Sequence, residues 1–343
     1  MVGEQQLGYG LIGLGRIMRA HVEGFRLVPH YAKVAAVCDV DRGVAEQFGR
    51  EIGARVYTDY LDLLRDPDVQ AVDIALPHNL HYEVASRTLQ AGKHVFLEKP
   101  MAPTLEECQA LIELARSLGL VISVGHHGLF VAAYLEVQRL LQEGVIGTPR
   151  LIRTLIYGSE LRFLNDPSHW RSRAAGSIGG AILDSGPHSI FLLKWLFGEI
   201  ASLRAFTEKL VAASEVEDNA VVAGRMKSGA LFTTQYTFTA ENFFSERLEV
   251  YGSNGTLVVD QLRNPPAIFY RGEKDLSGQV LETIPFDPAG WKFKAQVRGV
   301  AEFAAALGRN EPPPVDPLEA SYVIRVIEKA YASARGSGEP VTV

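Results

Sequence analysis

Leu7-Gly8-Tyr9-Gly10-Leu11-Ile12-Gly13-Leu14-Gly15-Arg16-Ile17-Met18 reads as a strand, a glycine turn and the start of a helix. Leu7 to Ile12 is a short apolar run, and from Arg16 to Val28 apolar residues recur at helical spacing. The same alternation continues downstream. Val34–Cys38 is strand-like and precedes a helical stretch through Val44, Ala45 and Phe48. Arg55–Tyr57 is short and extended, and Tyr60–Arg65 is helical up to Asp66-Pro67. Ala71–Leu76 is a buried-type strand, followed by a helix from His81 to Gln90 that Gly92 ends. His94–Leu97 is a strand. A helix from Thr104 to Ser117 opens on the capping box Thr104/Glu107 and stops at Gly119, before the strand Val121–Val124. This regular alternation predicts an α/β domain over residues 1–124 with a doubly wound parallel sheet.

After Gly125 the texture changes. Ala132–Glu143 is helical, and longer β-branched and aromatic runs follow at Leu151–Tyr157, Ala220–Met226, Ala230–Phe238, Leu248–Tyr251 and Thr256–Val259. Gly252-Ser253-Asn254-Gly255 is a hairpin signal. Helical stretches cover Ala181–Phe197, Ala295–Leu307 and Pro317–Ala334, and residues 262–290, with Pro265-Pro266, Gly272 and Pro288, read as irregular. Residues 125–343 are therefore expected to form an α+β domain with a large, mostly antiparallel open sheet.

Composition narrows the function. The chain of 343 residues is long enough for two cores, and its formal charge of −6 with no basic patch argues against nucleic acid. Cys38 and Cys108 are the 2 cysteines, both in apolar patterns, which predicts a reduced, cytoplasmic protein without a disulfide framework. The start lacks the basic and apolar regions of a signal peptide, and no apolar run approaches ~20 residues, so no membrane association is expected.

Gly13 and Gly15 between strand and helix match the first two glycines of a dinucleotide turn, where backbone must approach a pyrophosphate. Met18 stands where a third small residue is usual, which puts close helix–strand packing in question. Arg16 and Ile17 open the helix. Asp39 ends the second strand, where a carboxylate bonds ribose hydroxyls and repels a 2′-phosphate, favouring NAD. Arg16 and Arg42 keep NADP open, and Asp39 also reads as the N-cap of the following helix. Leu76-Pro77-His78-Asn79 follows the fourth strand and is expected to line the nicotinamide side with His81, although Asn79 equally reads as a helix cap.

Glu98-Lys99-Pro100 closes the strand His94–Leu97 on the sheet edge where ligands bind. A hydride transfer at a carbinol needs a group for the hydroxyl proton and a positive or donor group for the charge on oxygen. Lys99 is one candidate. Asp184 and His188 are others, one turn apart if residues 181–197 are a single helix. Pro187 between them predicts an interrupted helix that starts again near it.

These pieces resemble the Gfo/Idh/MocA family (glucose–fructose oxidoreductase, inositol dehydrogenase). The resemblance rests on Gly13-Leu14-Gly15-Arg16-Ile17, Cys38-Asp39, Ala91-Gly92-Lys93-His94-Val95-Phe96-Leu97-Glu98-Lys99-Pro100, residues 179–188, and Gly252-Ser253-Asn254-Gly255-Thr256-Leu257. It implies a Rossmann domain, then a mixed-sheet domain that often makes dimer or tetramer contacts. It also implies that Lys99 lies near the substrate hydroxyl, that His188 is the acid/base and that Asp184 assists it. Glu98 is counted with Lys99 among the cofactor-contacting residues.

Two places depart from the family pattern. Gly125-His126-His127-Gly128 replaces an Asn-x-Arg-Phe-like motif and is similar to the anhydrofructose-reductase-like branch, which makes His126 a substrate candidate. Adjacent side chains on an extended segment point to opposite faces, so the pair is not expected to bind a metal. Phe191 replaces a common acid. In His169-Trp170-Arg171, Trp170 is placed to stack on a sugar ring, with Arg171 or Arg173 to hold a polar group. The expected activity is NAD(P)-dependent oxidation or reduction of a sugar, cyclitol or polyol by a homo-oligomer. An NAD-dependent glycosidase and a non-catalytic sensor are the alternatives.

Overall fold

The computed structural model describes residues 6–211, 213–262, 267–270 and 290–343. By contacts the chain divides into two compact units. The first comprises residues 1–127 and 292–324, the second 128–291 and 325–343.

The first unit begins with β1 (Leu7–Ile12), α1 (Met18–Leu27), β2 (Ala32–Cys38), α2 (Arg42–Ile52), β3 (Arg55–Tyr57), α3 (Tyr60–Leu64) and β4 (Ala71–Ile74). It continues with α4 (His81–Gln90), β5 (His94–Leu97), α5 (Leu105–Leu118) and β6 (Ile122–Val124). All six strands are parallel, in the order β3-β2-β1-β4-β5-β6. The order reverses between β1 and β4, which opens a ligand crevice at the carboxyl ends of these strands. The central strands β1 and β4 are buried along their whole length, and their apolar runs reflect that. Met18 does not loosen the packing: it is fully buried in the core with Tyr9, Leu11 and Phe25. The expected capping box at α5 forms, with Thr104 and Glu107 each bonding the other's backbone.

The second unit adds α6 (Ala132–Gln142), β7 (Pro149–Tyr157), the short α7 (Leu161–Leu164) and α8 (Ala174–Ser177), α9 (Ala181–Phe197), β8 (Ile200–Glu208), β9 (Asn219–Met226) and β10 (Leu231–Thr237). β11 (Ser245–Gly252), β12 (Thr256–Asp260), β13 (Ala267–Tyr270) and β14 (Val341–Thr342) complete an eight-stranded sheet ordered β13-β12-β11-β7-β10-β9-β8-β14. β7 and β10 run parallel and the other pairs antiparallel. One face of the sheet carries Ile152, Phe232, Thr234 and Tyr236 under α9, where Tyr236 and Ser189 share a hydrogen bond of 2.5 Å. Phe206 and Val221, opposite each other in register, face outward with Leu231.

The last two helices, α10 (Trp291–Gly308) and α11 (Pro317–Arg335), precede β14. Here the structure differs from the continuous partition at residue 124/125. α10 packs into the first core, with Val300, Phe303 and Ala304 in its apolar cluster and Phe303 5.0 Å from Phe96 ring to ring. The segment read as irregular contains β13, while Pro265-Pro266, Gly272 and Pro288 lie outside the described residues. No helix among the described residues is long and apolar enough to cross a membrane.

Candidate active site

In the first unit the glycine turn has the shape a dinucleotide needs. Gly13 has φ +86°, and a Cβ there would stand 2.3 Å from the Ala75 carbonyl, so only glycine fits. A Cβ on Gly15 would meet nothing within 4 Å, which leaves the exposed backbone open to a phosphate. α1 follows its N-cap Ile17, which supplies no side-chain cap; the Met18 N–H donates to the Gly15 carbonyl and the Ala20 N–H to the Ile17 carbonyl, and the positive end of the helix lies beside the glycine turn. Asp39 joins the turn to β2: its carboxylate accepts the Leu14 N–H at 2.9 Å and the Asp41 N–H at 3.0 Å. The cap of α2 is Asp41, which accepts the Val44 N–H at 3.2 Å. The reading of Asp39 as that cap is therefore corrected.

Across the crevice, Leu76 and Pro77 follow β4 and are half-buried. Asn79 lies exposed in a 3-10 turn, and the cap of α4 is Leu80 with no side-chain bond, so Asn79 caps nothing there. His81 is fully buried rather than open to a ligand. Its ring lies 2.6 Å from the Pro100 carbonyl and 2.9 Å from the Leu76 carbonyl, and burial pulls its pKa below the usual value. It fixes the loop after β5 to the loop after β4.

Glu98 and Lys99 sit at the end of β5, both half-buried. Glu98 accepts the Lys99 N–H at 3.1 Å. It also ends a buried chain that sequence reasoning missed. His21 on α1 is held by Asp73 of β4 at 2.8 Å through Nδ1 and by Glu98 at 3.3 Å through Nε2. Burial alone would lower the His21 pKa, but the two carboxylates outweigh it and raise it to about 10. Burial would raise Glu98, and His21 outweighs that and holds it at about 2. The signal was present in Asp73, a charge inside an apolar strand. A Cβ on Gly125 would stand 2.8 Å from Glu98, so glycine there makes room for this carboxylate.

His126 and His127 are buried, and desolvation pushes both down to about 3, so they stand neutral. His126 feels Glu98 and Lys99 electrostatically but is closed to solvent, unlike an open substrate contact. Among the described residues no group of three or more His, Cys, Asp and Glu could hold a metal ion.

In the second unit α9 runs unbroken through Pro187. The expected restart does not occur; Pro187 lacks only one backbone donor, and the rest of the helix is buried and packed. From Ala181 to Leu193 every residue of α9 is buried except Asp184 and His188. They present one carboxylate and one imidazole, a turn apart on the same face. Arg171 Nε lies 3.8 Å from Asp184. The Arg171 guanidinium covers the Trp170 ring at 4.3 Å, so that face of the indole is taken, and Arg173 donates to the Pro167 carbonyl.

The chain is similar to known proteins over nearly its whole length. A family model described as "Oxidoreductase family, NAD-binding Rossmann fold" matches residues 7–126. A second, described as "GFO/IDH/MocA C-terminal domain", matches residues 134–258. The 1,5-anhydro-D-fructose reductase of Ensifer adhaerens is 30% identical over 311 residues, covering 89% of each chain. The scyllo-inositol 2-dehydrogenase (NAD(+)) of Bacillus subtilis (strain 168) is 27% identical, covering 98% of this chain and 96% of its own. A levoglucosan dehydrogenase solved in complex with NADH and levoglucosan has the same fold, with a TM-score of 0.89 over 99% of this chain and 100% of its own at 22% identity.

Proposed function

This chain is a member of the Gfo/Idh/MocA family of NAD-binding oxidoreductases, and on that premise we propose that it moves a hydride between NAD and a hydroxyl-bearing ring carbon of a sugar, cyclitol or related polyol. The observation that carries the reading is α9, in which Asp184 and His188 are the two residues from Ala181 to Leu193 that are not buried. In this reading His188 takes or returns the hydroxyl proton, and Asp184 one turn earlier holds the imidazole in its working tautomer. Lys99 polarises the substrate oxygen. Bound nicotinamide supplies the hydride acceptor or donor.

Relatives named for anhydrofructose, inositol and anhydrosugar substrates support a cyclic polyol. Arg171, already facing Asp184 and lying over Trp170, serves to position that carboxylate rather than to anchor an acidic substrate. The outward face of the large sheet, with Phe206 opposite Val221, is the surface through which copies of this chain associate in the same reading. Light scattering on wild type and Phe206→Glu tests this: association in the first and a monomer in the second are expected.

The function is tested by mixing the protein with NAD or NADP and a panel of inositols, hexoses and anhydrosugars. Reduced nicotinamide appearing with at least one member is expected, as is a preference for NAD. A panel inert in both directions with both cofactors counts against the reading.

A further inference from the structure

We propose that the buried chain Asp73–His21–Glu98 fixes a negative charge under the nicotinamide half of the cofactor site, so that it shifts binding toward the oxidised nucleotide, whose ring is cationic, and away from the reduced one, whose ring is neutral. The inference rests on the NAD-binding part of the reading above and on none of its substrate assignments.

The placement follows from topology. In a doubly wound sheet the dinucleotide lies across the switch point, one mononucleotide on each half. Here the glycine turn and Asp39 belong to β1 and β2, the pyrophosphate and adenosine side. β4, β5 and β6 then carry the nicotinamide side, and Glu98 is the residue that follows β5. Its side chain is 14% exposed, whereas those of His21 and Asp73 are 1% and 0% exposed. The chain thus starts inside the sheet with Asp73, passes through one imidazole, and surfaces at Glu98.

The hydrogen bonds fix both position and charge. Asp73 grips His21 Nδ1 with both oxygens, at 2.8 and 3.0 Å, which leaves Nε2 aimed at Glu98. Glu98 is anchored on its other oxygen by the Lys99 N–H, and its own N–H donates to the Ile74 carbonyl at 2.9 Å. The charged and titratable groups facing this carboxylate are His21 on α1, Asp73 on β4, His81 on α4, Lys99 beside it, and His126 and His127 after β6, with Lys292 at the start of α10 acting on His127. His126 and His127 are neutral and His21 is charged across the neutral range, so none of these three histidines changes protonation between pH 6 and 9. Oxidised and reduced nicotinamide differ by one positive charge on the ring. A fixed carboxylate in a partly dry site acts on that difference, while a merely structural residue would weaken both forms alike.

The test reads the two dissociation constants without substrate, by calorimetry for NAD+ and by protein-to-nucleotide fluorescence transfer for NADH. In Glu98→Gln, which keeps shape and removes charge, the ratio Kd(NAD+)/Kd(NADH) is expected to rise about tenfold over wild type, equivalent to about 1.4 kcal/mol. Glu98→Asp, which restores charge, is expected to stay within about threefold of wild type. In wild type the ratio is expected to stay flat from pH 6 to 9. Equal weakening of both nucleotides in Glu98→Gln, or an equal change in Gln and Asp variants, would overturn the proposal. So would a wild-type ratio that titrates within that window, which needs no variant to fold. Failure of the polyol activity leaves these measurements intact, so the two readings fail separately.

Discussion

Glu217 caps the helix that carries His188, and it does so from outside that helix, closing on Gly180. Its carboxylate accepts the Gly180 N–H at 2.9 Å and the Ile182 N–H at 3.1 Å, its carbonyl accepts the Ala181 N–H at 3.0 Å, and the Tyr331 hydroxyl donates to it at 2.7 Å. These N–H groups have no partner within the helix, so an outside acceptor is required. Replacing Glu217 by Ala leaves buried donors unmet and is expected to cost about 1–3 kcal/mol in urea unfolding. Gly180→Ala is expected to cost at least as much, because a Cβ would stand 1.7 Å from the Glu217 carbonyl. Unchanged midpoints in both variants would show that the cap carries no weight.

Asp39 holds the glycine turn, and in the proposed reading it also meets the ribose of the nucleotide. Asp39→Ala removes the acceptor of the Leu14 N–H and the charge that repels a 2′-phosphate. The expected result is weaker NAD binding by about tenfold or more, with the NADP/NAD affinity ratio shifted toward NADP. Calorimetric titration with both nucleotides checks it, and an unchanged ratio would remove Asp39 from cofactor choice.

Stability should peak near pH 6.5. His126 and His127 fold with pKa values pushed to about 3, so the folded state binds fewer protons than the unfolded chain below the ordinary histidine value of about 6.5. Their contribution is complete above that value and is lost as pH falls toward 3. Buried His81 acts in the same direction. His21 has the opposite sign: held at about 10, its contribution is complete below the unfolded value and is lost as pH rises toward 10. Urea midpoints measured from pH 4.5 to 9.5 should therefore fall on both sides, and His21→Asn should flatten the alkaline side. A wild-type curve that stays level from pH 6.5 to 9.5 would contradict the charged assignment of His21.

The fold was legible where burial imposes a period. β1, β4, β5 and β6 are short apolar runs, and α9 was read to its observed ends at Ala181 and Phe197. β8 was harder to see, because Arg204 and Phe206 are exposed and break up its apolar pattern. The return of α10 to the first core depends on Phe303 meeting Phe96, a pairing of distant residues that no local pattern encodes. At the candidate site, the residue types of Lys99, Asp184 and His188 and the motifs around them were visible. His21 and Glu217 were not, since a histidine on an amphipathic helix and a glutamate before a strand look ordinary until their partners Asp73 and Gly180 are known.

The most direct test of the central claim is hydride transfer itself, followed at the reduced-nicotinamide absorbance band with an accepted polyol. Wild type, His188→Asn and Lys99→Met are compared at saturating NAD in a single turnover. Removing a positioned acid/base group typically costs 10²–10⁴-fold. A drop of at least about 100-fold in the His188 variant, with NAD affinity retained, is the expected result. Undiminished transfer in either variant would contradict the account.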